Sequence, residues 1–422
     1  MRKQLIGTSL LLMLGQLLFA QWECPSQLGA YLKLVGQTNL FWSGELTGGT
    51  GYITNNTIGN TMALIGLDWS GKNSSLYVEG GFKYWNRYNF DTSKDYHNQH
   101  LGLRELYYQY KSEQSNLTLG IQSARLDDDF LLNERVVGAN FRINSGKWSF
   151  NVLGGSVTKD FARNGTFCNV GYLYDILPGR DRALIGNGFG QTNLASFSIK
   201  YQPGKASTKA KKTQGENEFS SNEFSDGLNS GAESKQGSFK LESVGAIAYH
   251  EFGDWVTQKF VTTGLFTQTE WGKNWYFKPE VLFQAATGNN ALIYNLHLEK
   301  TLESANTKTS LTLRYIGKSN IDSNAKILNS FSNVFAGDVI RLDAIDGSFL
   351  QAGVKCSFPE SRVHLKAQVA SKVSGNTMRE MDFELGKKFG KRLQVNALSG
   401  LVDSYLLTNK ALMGRLEFRY YF

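Results

Sequence analysis

The sequence predicts an all-β chain that closes into a transmembrane, antiparallel, up-and-down β-barrel of about 18 strands, behind a cleaved signal peptide. Three observations predict it. Hydrophobicity alternates with period two along most of the chain, which sends successive side chains to opposite faces of a strand. Many alternating segments run for 10 to 13 residues, close to the ~9–11 residues that cross a bilayer at a tilt, whereas globular strands have about five or six. Short turns and longer loops also take turns along the chain, as an up-and-down barrel requires.

The chain opens with MRKQLIGTSLLLMLGQLLFA. Arg2 and Lys3 form a basic start, residues 5–18 an apolar stretch, and Ala20 a small residue suited to peptidase cleavage, the layout of a secretory signal. Gly7, Thr8, Ser9, Gly15 and Gln16 interrupt the run, which falls short of the ~20 apolar residues of a spanning helix. Residues 1–20 are therefore read as the signal peptide and 21–422 as the barrel. Cys24 follows Gln21, Trp22 and Glu23, not the small residues of a lipid-modification site. Cleavage removes the charges of Arg2 and Lys3 and takes the net charge from +8 to +6. That value is modest for the length, and nothing points to nucleic acid.

The chain holds 44 Gly, 27 Phe, 19 Tyr, 8 Trp and 5 Pro. After residue 20 no hydrophobic run is long enough for a spanning helix, and amphipathic helical periodicity is almost absent. Cys24, Cys168 and Cys356 are too few and too far apart for a disulfide framework or a zinc ligand set. No metal or other cofactor is expected.

Over 76–87, Leu76, Val78, Gly80, Phe82 and Tyr84 share one face and Tyr77, Glu79, Lys83, Trp85 and Arg87 the other. Over 291–299, Leu292, Tyr294, Leu296 and Leu298 alternate with Asn295, His297 and Glu299. Val363, Leu365, Ala367 and Val369 alternate with His364, Lys366 and Gln368. At the end, Leu412, Gly414, Leu416, Phe418, Tyr420 and Phe422 alternate with Met413, Arg415, Glu417, Arg419 and Tyr421. Aromatics gather near strand ends, at 41–42, 84–85, 107–110, 275–277 and 420–422, as interfacial girdles do.

Tight turns are expected near 70–74, 112–116, 144–147, 271–274, 302–307, 358–361 and 389–391. Outer loops are expected near 44–59, 88–99, 125–133, 158–191, 251–256, 286–290, 319–348, 374–376 and 403–409. Counting every candidate gives nineteen strands, but two inward termini require an even number. Assigning the eight-residue segment 168–175 to a long outer loop gives eighteen. Sixteen would require two weaker segments to fail. Parity then places 203–237 on the periplasmic side. This polar stretch has no period, balances five lysines against five acids, and is read as a disordered insertion.

The last nine residues, GRLEFRYYF, resemble the C-terminal assembly signal of Gram-negative outer-membrane barrels, carried by Leu416, Phe418, Tyr420 and Phe422. The resemblance implies the outer membrane as location and the barrel-insertion machinery as a partner, which a final alternating strand engages by edge addition. Residues 103–138 resemble a hairpin of the phosphate-selective and alginate-export type porins at Arg104, Glu105, Leu117, Leu119, Gly120, Gln122, Asp127 and Arg135. This implies the porin-like class without naming a solute.

With the apolar face toward lipid, the inner wall would carry Glu79, Lys83, Arg87, Lys240, Glu242, Lys278, Glu280, Glu299, Arg314, Lys366, Glu380, Asp382, Glu384, Arg392, Arg415, Glu417 and Arg419. Such charges set ion preference in a water-filled pore, or pair across strands. The run Asp127, Asp128 and Asp129, with Arg125 and Arg135 beside it, is a constriction candidate, a cation site for bridging lipopolysaccharide, or a solvated loop tip. Five histidines and the absence of HExxH, P-loop, GxSxG and calcium-loop patterns leave no catalytic residue to name.

The reading is a passive porin-like channel for small hydrophilic solutes, narrowed by loop 158–191 or by 125–135. An eighteen-strand barrel is wide enough for an aqueous lumen unless loops 158–191 and 319–348 fold in. The alternative is a non-conducting barrel that docks partners through 203–237 and 319–348; a barrel enzyme ranks third. Outer-membrane lipid, lipopolysaccharide, the insertion machinery and small hydrophilic solutes are the expected partners. A homo-oligomer and a periplasmic partner remain open.

Overall fold

Side chains of alternating polarity leave the backbone to satisfy its hydrogen bonds between neighbouring strands, and closing the sheet removes the unpaired edges. The computed structural model shows this solution. It describes residues 39–53, 56–126, 130–158, 189–204, 239–254, 259–272, 274–322, 325, 327, 328, 347–374, 378–404 and 410–421. The expected signal peptide, the segment 168–175, the body of the 203–237 insertion and Phe422 lie outside the described residues.

The first half of the chain forms β1 (Asn39–Ile53), β2 (Asn56–Ser70), β3 (Ser74–Asn89), β4 (Lys94–Lys111), β5 (Ser115–Leu126), β6 (Leu132–Ser145), β7 (Trp148–Ser156), β8 (Asn193–Tyr201) and β9 (Phe239–Phe252). The second half forms β10 (Phe260–Trp271), β11 (Trp275–Ala286), β12 (Ala291–Glu303), β13 (Lys308–Asn320), β14 (Phe349–Phe358), β15 (Val363–Lys372), β16 (Met378–Phe389), β17 (Leu393–Ser404) and β18 (Ala411–Tyr421). Every strand pairs antiparallel with its sequence neighbours, and β1 pairs β18 from Glu45 opposite Tyr421 to Ile53 opposite Met413. The eighteen-stranded sheet is closed.

One rim carries the tight turns and the connection from β8 to β9; the other carries the longer connections, including 157–192 and 321–348. The expected connections fall where the strands break, with two differences in extent. The segment 44–59 was expected as a loop, yet β1 and β2 run through it and only 54–55 separate them. Its glycines read as loop, but the backbone there pairs with β18 on one side and β2 on the other, which needs no side chains. At Gly51 a Cβ would sit 2.9 Å from the Gly414 carbonyl oxygen. Likewise 88–99 shortens to 90–93, because β4 pairs β3 from Lys94 onward.

The two faces are sorted in the opposite sense to a soluble sandwich. On β16, Met378, Glu380, Asp382, Glu384 and Gly386 are buried, whereas Met381, Phe383 and Leu385 are exposed. On β10 and β11 the register partners Leu265 and Val281 both face outward, and Leu265 is 65% exposed. An apolar outer face with a largely polar inner face fits a barrel surrounded by lipid. Aromatic pairs mark both rims. Trp148 meets Tyr201 at 4.8 Å and the Lys300 ammonium lies 4.4 Å from the Trp275 ring on the turn side. Tyr88 meets Phe90 at 5.2 Å on the loop side.

Candidate functional site

The lumen is the concave surface of this molecule, and alternation assigns residues to it strand by strand. From the turn rim to about half height it is lined by interlocked charges. On β18, Glu417 is 2% exposed and sits between two arginines on the same face, accepting from Arg415 and, at 2.8 Å, from Arg419. Side chains two residues apart on a strand share a face, so a basic–acidic–basic run at that spacing forms a ladder up the wall.

Neighbouring strands continue the network. The Ser310 hydroxyl donates to Glu299 at 2.6 Å, and His364 lies 3.2 Å from Glu384. Gln368 donates to Asp382 at 3.2 Å. Arg314 donates to the Asn295 amide oxygen at 3.0 Å, and the Asn295 amide donates to Glu280 at 2.7 Å. Lys278, 4% exposed, lies with its ammonium 5.7 Å from the Phe266 ring. On the far wall Glu79 accepts from Arg104 at 2.6 Å and from the Tyr77 hydroxyl at 2.9 Å, with buried Lys83 two steps up the same face, beyond Gly81.

Toward the loop rim the inward face changes character. Leu153, Leu194, Ile247, Tyr249, Leu282, Ile293, Ile316, Phe349, Met378, Val402 and Met413 form one buried apolar cluster at the strand ends nearest the long connections. Two inward segments fill the middle of it. Ile327 from the β13–β14 connection is fully buried, and the Gln284 side chain on β11 holds Leu328 by two backbone hydrogen bonds of 2.7 and 2.8 Å. Phe130, Leu131 and Leu132 from the β5–β6 hairpin are each at most 1% exposed. The Phe130 ring lies 5.7 Å from the Arg314 guanidinium on β13, nearly opposite in strand order, so the hairpin reaches across the lumen.

Of the segments expected to narrow or enter the lumen, described residues of the 125–135 hairpin and of the 319–348 connection are packed inward, while 159–188 lies outside the described residues. Near the loop rim apolar inward positions pack against two chain segments and are interspersed with buried polar groups such as Glu251, Thr262 and Gln284. Alternation identifies a side chain's face without revealing what fills the opposite space. Arg392 is also displaced: it lies in the turn between β16 and β17, exposed at the rim.

The structure brings Glu79, Lys83, Lys278, Glu280, Arg314, Arg415 and Arg419 to the inner wall. Arg135 is buried and donates to Glu105 at 3.3 Å, while Arg125 is exposed on the hairpin opposite Asn133. Asp127, Asp128, Asp129 and the side chain of Arg87 lie outside the described residues. Leu416 faces outward on β18 at 52% exposure. Sequence reasoning had not placed Tyr77, Gln284 or Phe130 in the site. The first follows from its period-two neighbour Glu79, but the last two depend on loop packing, which leaves no local pattern. Below the hairpin, Glu105, Tyr107, Gln109, Thr118, Asn140 and Arg142 line a polar cavity of about 230 Å³. Among the described residues no group of metal-ligating side chains is assembled.

No protein-family model matches the sequence, and no characterised protein sequence does. Among solved structures the barrel is similar to OccK7 (OpdD) of Pseudomonas aeruginosa, with a TM-score of 0.56 and 10% identity over 91% of this chain and 98% of that one. OccK5 (OpdH) of the same organism gives a TM-score of 0.52, 10% identity and the same coverage. OccAB4 of Acinetobacter baumannii gives 0.50 and 10% identity, over 92% of this chain and 98% of that one. The fold is shared nearly end to end while the side chains have diverged.

Proposed function

We propose that this chain is an outer-membrane porin-like channel for passive diffusion of small hydrophilic solutes. The observation that carries the reading is the wall itself: a closed eighteen-stranded barrel with apolar side chains outside and a charged network inside. A barrel of this strand number encloses a lumen wide enough for water, and opposed acidic and basic groups set ion preference along such a path. The fold shared with the OccK7 and OccK5 structures supports the barrel on which this reading stands. The polar cavity beside Glu105 and Arg142 offers hydrogen-bonding groups to a hydrophilic solute on the inner wall.

In this reading the long connections face outside, and the tight turns with the 203–237 insertion face the periplasm. The insertion machinery, lipid and lipopolysaccharide are its partners in the membrane, and no catalytic role is assigned. The second reading, a non-conducting barrel that docks partners, is favoured by one observation: the apolar packing that fills the loop half of the lumen. Planar-bilayer recordings of the purified chain separate the two. Ion-permeable openings with defined conductance support the channel. A folded barrel that never opens at any voltage, even after its apolar packing is made polar, rejects it in favour of docking.

A further inference from the structure

The inner wall formed by β4, β5 and β6 contains a level that is nearly bare of side chains. Register partners share a face of the sheet, and inward positions recur at every second residue. Tyr107 pairs Gly120, and Gly120 pairs Gly138, so at this level only β4 contributes a side chain. Gly120 has φ +121°, and a Cβ at Gly138 would lie 2.1 Å from the Gly154 carbonyl oxygen, so neither position takes a side chain without a shift of backbone. One level nearer the turn rim Gln109, Thr118 and Asn140 stand in register, and one level further Asn116 pairs Arg142. The polar cavity of about 230 Å³ opens among these side chains.

Its lining is charged only at the two ends. Glu105 stands at the upper end, ion-paired with Arg135 at 3.3 Å, and Arg142 is exposed at the lower end. Between them are amides and hydroxyls. Gln109 donates to the Thr118 hydroxyl at 3.3 Å, and Gln122 donates to the main-chain carbonyls of Thr118 and Gly138 at 3.2 and 3.3 Å, which fixes these side chains. The amide oxygens of Asn116 and Asn140 are buried and accept no hydrogen bond among the described residues. Buried polar atoms ordinarily have a partner, and two such atoms on residues lining one cavity point to an occupant that supplies it. A carboxylate has no proton to donate and would face Glu105; an ammonium accepts nothing and would meet Arg142. A hydroxyl both donates and accepts, so it suits each amide whichever way that amide is turned, and Arg142 as well. Tyr107 adds an aromatic ring beside the bare level, set against Tyr77 with centroids 5.3 Å apart. The volume lies below the ~300–1,000 Å³ of drug-sized sites, which restricts the occupant to a single ring or short chain.

We propose that this cavity is a solute site on the inner wall for a neutral polyhydroxylated molecule of monosaccharide size. Asn116 and Asn140 bind its hydroxyls, Arg142 donates to a hydroxyl oxygen at the lower end, and the Tyr107 ring packs against its carbon face. The proposal rests on the channel reading above and names a class of solute for it.

The test measures binding to the full chain, folded in detergent micelles, by saturation-transfer difference NMR, so that the readout does not depend on conduction. The probes are D-glucose, D-glucuronate and D-glucosamine, which keep one ring and change only its charge. Glucose is expected to bind about tenfold more tightly than either charged sugar. Asn116→Leu and Asn140→Leu are each expected to weaken glucose binding about tenfold, the factor associated with loss of one buried hydrogen bond. Heat-modifiable migration on gels checks that each variant is folded, and N140S takes the place of N140L if the latter is not. Absence of glucose binding, or glucose binding unchanged in both folded variants, overturns the site. Tighter binding of glucuronate or of glucosamine overturns the neutral class of solute. Planar-bilayer recordings of the same chain test the channel reading separately. Glucose binding by a barrel that never conducts keeps the site and removes the channel, whereas conduction without glucose binding keeps the channel and removes the site.

Discussion

Glu417 shows how much depends on single positions inside the barrel. It is 2% exposed, and both Arg415 and Arg419 donate to it along one strand face. Removing the acid leaves two adjacent guanidinium groups without their shared counter-charge. Breaking a buried ion pair from one side costs about 3 kcal/mol. Glu417→Gln is therefore expected to lower the unfolding temperature of the barrel, read as the heating needed to convert folded to unfolded mobility. It should also move the reversal potential in a salt gradient toward anion permeability, since the wall gains a net positive charge. An unchanged reversal potential in a folded, conducting variant would show that the ladder stands away from the ion path. Glu280, reached by Asn295 and through it by Arg314, offers a comparison in which the acid contacts an amide directly.

At the scale of elements, Gly120 decides whether β5 can turn inward. Its φ of +121° lies where side chains are strained, and a Cβ would meet the Leu106 carbonyl at 2.2 Å. Gly120→Ala is expected to cost about 1–3 kcal/mol in backbone strain alone, measurable as a lower urea midpoint for unfolding, with the hairpin shifted from its seat. An unchanged midpoint would mean that the bend relaxes without loss. The glycine is visible in the sequence, where Leu117, Leu119, Gly120 and Gln122 read as an ordinary strand leading to an acidic loop. The departure from the wall is not visible, because it depends on which residues of β4 and β7 stop pairing. By contrast, the strands themselves were legible: β11, β12, β15, β16 and β18 alternate in polarity over most of their length, until inward Leu282, Ile293, Ala370, Met378 and Met413 near the loop-side ends. Parity of the termini also placed the 203–237 insertion between β8 and β9 on the turn rim. Glycine-rich β1 was misjudged in extent because pairing on both edges replaces the side-chain signal. The interior of the loop half was illegible for a different reason. Leu153, Leu194 and Ile293 face a cavity filled by distant segments, and period-two patterning carries no information about contacts across a lumen.

For the whole molecule, the outward face and the connections follow different rules. An arginine introduced at Leu265, midway along β10 and facing outward beside Val281, should destabilise the barrel by about 2–4 kcal/mol if lipid surrounds it there. Refolding equilibria in liposomes measure this directly, and a negligible cost would place water or protein against that face. The connection between β8 and β9 leads to a different expectation. Tyr201 pairs Val244 and Trp148, so β8 is held on both edges up to its last residue, and β9 continues past it to Phe239 while pairing β10. Both strand ends are thus fixed by their neighbours, without help from the 34 residues that separate Gly204 from Phe239. Replacing 205–238 by a short glycine-containing turn should leave folding and open-state conductance unchanged, because loop-closure entropy favours the shorter connection. If the insertion instead serves a periplasmic partner, the shortened chain should lose co-purifying protein while its bilayer currents stay the same. Loss of conductance in a correctly folded deletion would show that the insertion enters the ion path, and would require the turn rim to be counted as part of the pore.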